Sequence, residues 1–242
     1  MTTWSRCEFG DPPWSSFVET KCASVNGHAT AGPVTTRVRG SREVVVIGAG
    51  PAGLAVAREL EHRHGVRTLV VDRAAAPAIS WRTRYDGFRL NTTGFLSHLP
   101  GQRIPLTAGR WPTRDDMVRY FDDYARRQNV TLGLGCEVTT VDREAGGWRL
   151  TTSTGEIRTR AVVLATGNYR TPTIPDWPGL SHFTGEIIHS GSFRNAWAFR
   201  GRDVLVVGAG NSAADIAVQL ANDGAKSEKA AASRAKKKAP VK

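Results

Sequence analysis

Two glycine turns of related spacing carry the chemistry of this chain: Gly48-Ala49-Gly50-Pro51-Ala52-Gly53 and Gly208-Ala209-Gly210-Asn211-Ser212-Ala213. In the first, Gly48 permits a tight bend and Gly50 lets the backbone approach a diphosphate. Gly53 lets the following helix pack closely on the preceding strand, and the helix N-terminus faces the negative charge. Asp72 follows Gly53 by 19 residues, where an acid accepts hydrogen bonds from ribose hydroxyls and disfavours a 2′-phosphate. The second turn has Ala213 at its third small position, a permitted variant, and Asn211 and Ser212 add side-chain donors near a phosphate. The first turn implies an adenine dinucleotide without saying which. The second either binds another nucleotide or is a remnant. Two nucleotides on one chain point to electron transfer between them.

The elements that must position these turns follow from hydrophobic periodicity. Glu43-Val-Val-Val-Ile47 is a continuous apolar run, the pattern of a strand buried on both faces of a parallel sheet. Leu54, Val56, Ala57 and Leu60 predict a short helix, and residues 67–72 a second strand ending in the acid. Residues 81–112, rich in Arg, Pro and aromatics, are expected to run over a ligand rather than build sheet. Thr113 predicts a helix cap with Asp116 as its reciprocal partner, and Met117, Phe121, Tyr124 and Ala125 form the apolar stripe. Residues 137–142, 148–152 and 156–164 alternate about two glycine turns, which predicts an antiparallel meander. Its last strand becomes apolar enough at Ala161-Val-Val-Leu-Ala165 to rejoin the parallel sheet. Residues 203–207 read as the strand before the second turn and 211–222 as its helix. After Gly224 the chain offers no β-branched residue until Val241, so the second nucleotide unit reads as unfinished.

Four segments result: a disordered leader over 1–41, a dinucleotide-binding domain over 42–170, a partial second one over 171–225, and a basic disordered tail over 226–242. The fold class is α/β, a Rossmann-like domain of parallel sheet plus antiparallel meander with the start of a second Rossmann unit. The tail holds seven Lys and Arg against one Glu, +6 of the net +11, leaving +5 on the other 225 residues. That distribution reads as a solvated tail rather than a specific nucleic-acid surface, although a polyanion-binding protein is one alternative. No apolar run reaches the length of a membrane span: residues 44–57 are uncharged but only 14 residues long. Cys7, Cys22 and Cys136 form no disulfide framework, there is no Cys-x-x-Cys pair, and no metal-ligand spacing occurs. Reduced thiols in a cytoplasmic protein are the expectation.

The chain resembles the flavin-containing monooxygenases, the class B flavoproteins that include the YUCCA-type enzymes. The resemblance is carried by the two glycine turns, by Ala165-Thr166-Gly167, and by Phe183-Thr-Gly185-Glu-Ile-Ile-His189-Ser-Gly-Ser-Phe193, which matches the family's Phe-x-Gly-x-x-x-His-x-x-x-aromatic signature. It covers residues 43 to about 224, the N-terminal half of such an enzyme. It implies FAD at the first turn and NADPH at the second. Hydride reduces the flavin, which captures dioxygen as a C4a-hydroperoxide and passes one oxygen atom to a small organic substrate. The cofactor-binding residues it implies are Gly48, Gly50, Pro51, Ala52, Gly53, Asp72, Arg73, Arg82, Val138, Ala165, Thr166 and Gly167 for FAD. For NADPH they are Gly208, Gly210, Asn211, Ser212 and Ala213.

Asn91 matches an asparagine near the flavin ring in many family members, where its amide would act catalytically; it reads equally as a turn residue. His189 reads as structural, beside the apolar pair Ile187 and Ile188, rather than as an acid–base catalyst. The Arg-Cys-Asp element of the Baeyer–Villiger relatives is absent, since this chain has Arg84-Tyr85-Asp86. A non-catalytic FAD-binding fragment and a pyridine-nucleotide–flavin oxidoreductase without oxygenation remain the alternatives. Trp111, Phe95 and Leu96 are candidate wall residues for a substrate whose identity the sequence does not specify. Oligomeric state is equally silent.

Overall fold

A computed structural model describes residues 21–23, 35–37, 42–168 and 171–223. The chain divides into two compact units. One takes the described residues up to 79, with 99–103 and 120–168; the other takes 80–98, 104–119 and 171–223. The second unit therefore draws in residues well upstream of the expected boundary at 171.

The first unit is built on an eight-stranded sheet: β1 (Lys21–Ala23), β2 (Thr35–Arg37), β3 (Arg42–Ile47), β4 (Thr68–Asp72), β5 (Leu132–Leu134), β6 (Val138–Glu144), β7 (Gly147–Thr152) and β8 (Gly155–Leu164). Its order is β2-β1-β5-β4-β3-β8-β7-β6. The central strands β5, β4, β3 and β8 run parallel, and β6, β7 and β8 form the antiparallel meander. Thus β8 serves both halves. It pairs antiparallel with β7 at Ile157 and parallel with β3 at Val162, where its sequence turns from alternating to continuously apolar. The α/β class and the meander stand as expected. Strands β1 and β2 lie inside the stretch read as an unstructured leader; they pair with each other, and Ala23 pairs with Leu134 on β5. Two tripeptides are too short for periodicity to reveal, and the rest of residues 1–41 lies outside the described residues, as does the basic tail.

Burial follows the pleat. Val45, Leu69 and Val71 meet Cys136, Leu150 and Ile157 in one core cluster, with Ile47, Val138, Trp148 and Val162 packed against it. The alternate positions Val46 and Val70 are also fully buried, as are Leu54 and Ala57 of helix α1 (Pro51–His64). Pro begins α1, where its missing N–H costs no hydrogen bond, and Gly65 ends it in the left-handed region at φ 64°. After the short helix α2 (Ile79–Arg82), α3 (Arg114–Arg127) starts with the predicted reciprocal cap. Thr113 N–H donates to Asp116 Oδ2 at 2.9 Å, and Asp116 N–H donates to Thr113 Oγ1 at 3.2 Å. Further along α3, Tyr120 OH accepts from Leu99 N–H at 2.6 Å and donates to the Gln102 carbonyl at 2.7 Å, while Tyr124 OH donates to that of Pro100 at 2.8 Å. These two phenols hang segment 99–103 on the helix.

In the second unit, α4 (Asn211–Asp223) follows the second glycine turn as expected. Residues 203–207 do not form the expected strand. Val204 and Val206 pack on a cluster of Tyr85, Phe193, Ala196, Ile216 and Leu220, whereas Leu205 and Val207 are 63% and 59% exposed. The alternation is strand-like, but a strand is defined by its neighbour, and among the described residues none pairs with this segment. No helix of the described residues is long and apolar enough to cross a membrane.

Candidate functional site

Parallel pairing brings the carboxyl ends of β3, β4 and β8 to one sheet edge. Ile47 is opposite Val71 on one side and Leu164 on the other. The next residues on the three strands therefore meet: Gly48 donates its N–H to the Val71 carbonyl at 2.8 Å, and Ala165 donates to that of Ile47 at 2.8 Å. Ligands of open α/β sheets bind outside such an edge.

Within this arrangement each glycine has a distinct job. Gly48 sits at φ +112°, and a Cβ there would lie 2.3 Å from the Ala165 carbonyl oxygen. The turn is thus pressed against Ala165-Thr166, and the sequence motif closing β8 is the floor of the glycine turn. A Cβ on Gly53 would come within 1.9 Å of the Gly48 carbonyl, so the first turn of α1 lies directly on the bend. Gly50 is different: nothing stands within 4 Å of where its Cβ would be. That open face, beside the N-terminus of a fourteen-residue helix with no acidic residue in its first turn, is what a diphosphate requires. The residues present fit an adenine dinucleotide.

Asp72 ends β4 with its carboxylate turned toward the turn. Ala49 N–H donates to Oδ2 at 2.8 Å and Ala74 N–H to Oδ1 at 2.8 Å. The acid placed by spacing to read a ribose also fixes the loop that would cradle the diphosphate. Sequence reasoning missed this second role, since spacing shows an acid at a strand end but not which amides reach it. Arg73, next along, is exposed and lies 4.0 Å from Glu137 Oε1. Val138 is half-buried at the start of β6. Gly167 takes φ +75° just beyond Thr166, with nothing within 4 Å of a would-be Cβ. Pro51 and Ala52 open α1.

The second turn repeats the geometry. Gly208 has φ +144°, and a Cβ there would meet Ala213 Cβ at 3.3 Å; nothing lies within 4 Å of Gly210. Asn211 is exposed, Ser212 and Ala213 half-buried, and the first turn of α4 again holds no acid.

Other predicted residues fall elsewhere. Arg82 ends α2 and Asn91 is an exposed residue following Leu90; both belong to the second unit, Asp72 and the first turn to the other. His189 accepts the Gly191 N–H on Nδ1 at 3.0 Å, capping the 3₁₀ turn Ser190–Ser192. That is a structural role, although Ile187 and Ile188, whose apolar character argued for it, are 42% and 39% exposed. Phe193, the aromatic end of the same signature, is buried in the second unit's core. Phe95 and Leu96 are well exposed, and Trp111 less so.

With this geometry in place, comparison with known proteins gives a consistent picture. The family model for pyridine nucleotide-disulphide oxidoreductases matches residues 45–239. Indole-3-pyruvate monooxygenase YUCCA1 of Oryza sativa subsp. japonica is 36% identical over 186 residues, 75% of this chain and 46% of that enzyme. Among solved structures, a flavin-containing monooxygenase from Stenotrophomonas maltophilia superimposes with a TM-score of 0.71 at 28% identity, covering 76% of this chain and 56% of the other. A cyclohexanone monooxygenase mutant from Rhodococcus sp. Phi1, bound to NADP+, gives 0.63 at 28% identity, covering 75% of this chain and 37% of the other. The chain spans about half the length of the curated relatives it matches.

Proposed function

Because this chain belongs to the pyridine nucleotide-disulphide oxidoreductase family, and within it to the flavin monooxygenases, we propose that it holds FAD at its first glycine turn and NADPH at its second. The reaction served is transfer of one oxygen atom from dioxygen to a small organic substrate. One observation carries the reading. The same turn geometry occurs twice, with Gly48 and Gly208 at positive φ and Gly50 and Gly210 open at a helix N-terminus.

At the first turn, the early amides of α1 receive the diphosphate of FAD across the open face of Gly50, and Asp72 accepts from the ribose. Asp72 keeps capacity for this, since each carboxylate oxygen accepts one amide hydrogen bond from the loop and has a further lone pair. Ala165-Thr166 backs the turn, so the loop meets the ligand without first having to be ordered. When bound, FAD supplies hydride acceptance and the activation of oxygen. At the second turn, Gly210, Asn211 and Ser212 offer three further amides, and Asn211 and Ser212 two side-chain donors, to the diphosphate of the reductant. NADPH rather than NADH is favoured by the cyclohexanone monooxygenase relative, solved with NADP+. Asn91 is the candidate side-chain donor to the reacting flavin.

The test is direct. Purified protein incubated with FAD and desalted is expected to be yellow and to bleach on adding NADPH under nitrogen. Admitting air then produces a long-lived absorbance distinct from oxidised flavin. Protein that stays colourless overturns the whole reading. Yellow protein that NADPH leaves unbleached supports the alternative of an FAD-binding protein without turnover, a reading favoured by segment 203–207, which pairs with no strand among the described residues. Immediate reoxidation without the transient marks a reductase.

A further inference from the structure

The loop at residues 84–88 lies along one face of α4 and touches it at positions one helical turn apart. Tyr85 OH donates to Asp215 Oδ2 at 2.8 Å across 130 residues of sequence. Gly87 stands against the next turn, where a Cβ would meet Gln219 Oε1 at 2.7 Å. Between these polar contacts the Tyr85 ring, 4% exposed, is buried with Ile216 and Leu220. Phe88 and Phe193 meet it edge-on at ring-centroid distances of 5.5 and 6.0 Å.

The loop is itself anchored by further hydrogen bonds. Asp86 N–H donates to the Arg194 carbonyl at 2.8 Å, and its carboxylate accepts from Arg114 at 2.7 Å and from Asn195 at 3.0 Å. Arg194 in turn donates to the Thr83 carbonyl at 2.6 Å. A loop fixed in this way can hold a helix in place. Helix α4 has particular need of it, because the segment that leads into its glycine turn pairs with no strand among the described residues. A helix entering from a paired strand is oriented by that strand; here Ile216 and Leu220 of α4 pack instead with Tyr85, Phe193 and Ala196.

We infer that Tyr85 and Asp215 are a positioning pair for the second glycine turn, holding α4 so that the amides at Gly210–Ser212 present a converged cradle to a nicotinamide dinucleotide. Neither residue touches the nucleotide. The inference rests on the second turn being such a site. Burial pushes the Tyr85 phenol well above its ordinary range, with the hydrogen bond to Asp215 adding to the shift, so the phenol keeps its proton and remains the donor throughout the neutral range.

Three variants of the full chain test it: Tyr85→Phe, which keeps the ring; Asp215→Ala, at an exposed site; and Asp215→Asn, whose amide oxygen can still accept from the phenol. NADP+ binding is measured by calorimetry on FAD-loaded protein, and flavin content by absorbance. Tyr85→Phe and Asp215→Ala are expected to weaken NADP+ about tenfold with flavin content unchanged, while Asp215→Asn stays within about threefold of wild type. Wild-type protein that binds FAD but no NADP+ overturns the reading of the second turn and this pair with it. Wild-type protein that binds NADP+, with Tyr85→Phe and Asp215→Ala indistinguishable from it, overturns the pair alone. Loss of flavin in parallel with NADP+ also overturns it, because the defect is then general unfolding.

Discussion

The Ala49 amide donates to Asp72 Oδ2 at 2.8 Å, so the acid at the end of β4 grips the glycine turn at the end of β3, 23 residues away. Its other oxygen takes the Ala74 amide at 2.8 Å. Replacing Asp72 by Asn keeps one acceptor and turns an NH2 toward a backbone N–H. Asp72→Asn is therefore expected to lose at least tenfold in FAD affinity and about 1–3 kcal/mol of stability. Fluorescence titration with FAD and a urea melt check both. Unchanged flavin affinity would show that the carboxylate serves the loop and not the ribose.

Gly48 and its floor make a second, purely structural prediction. A methyl at Gly48 overlaps the Ala165 carbonyl at 2.3 Å and forces a non-glycine residue to φ +112°. The obstacle is backbone on both sides, so neither can move without unpairing β3 from β8. Gly48→Ala is expected to cost at least about 3 kcal/mol, seen as insoluble protein or a melting temperature lowered by about 10 °C or more. A soluble variant of wild-type stability would mean the turn does not rest on β8.

How much of this was readable beforehand depends on the range of the interactions involved. Residues 43–72 were legible because strand, turn, helix and strand follow one another in sequence, and the period of apolar residues switches where the structure does. The cap Thr113–Asp116 and the meander were legible for the same reason. Residues 203–207 were not, although Val204, Leu205, Val206 and Val207 look more strand-like than β5 does. Apolar character says that a segment wants cover, and only the fold says whether the cover is a neighbouring strand. The pair Tyr85 and Asp215 left no trace in the sequence, since a tyrosine in a loop and an aspartate on a helix are each ordinary alone. Asp72 was half legible: its position followed from spacing, its partners from geometry.

The tyrosines of α3 set a limit at high pH. Burial pushes the Tyr124 hydroxyl up to about 12 and that of Tyr120 also above its ordinary value. Folding thus favours their protonated forms. The stability they support is intact below about pH 10, where an unfolded tyrosine begins to ionise, and is lost as pH rises toward the folded value. For fully buried Tyr124 the loss between about pH 10 and about pH 12 is on the order of 2–3 kcal/mol. Tyr124→Phe gives up the hydrogen bond to Pro100, about 1 kcal/mol at neutral pH, and should show a shallower decline across that interval in urea melts. A decline as steep as wild type would place the alkaline sensitivity elsewhere.

The two open glycines allow the two cofactor assignments to be separated. At Gly50 the backbone has φ −77°, which alanine adopts freely, and the new methyl would meet no protein atom. Any effect of Gly50→Ala beyond the roughly 0.5–1 kcal/mol of an altered helix cap must come from what approaches that face from outside. A diphosphate lying there would be pushed off, so flavin content should fall at least tenfold while the melt of flavin-free protein barely moves. Gly210→Ala makes the same change at the second turn, where space is equally free. This variant should remain fully yellow and bleach at least tenfold more slowly with limiting NADPH under nitrogen. The crossed outcome, flavin lost from Gly210→Ala and retained by Gly50→Ala, would exchange the two nucleotides between the turns. Wild-type bleaching in Gly210→Ala would mean that the reductant binds elsewhere and that the second turn, for all its likeness to the first, serves only to begin α4.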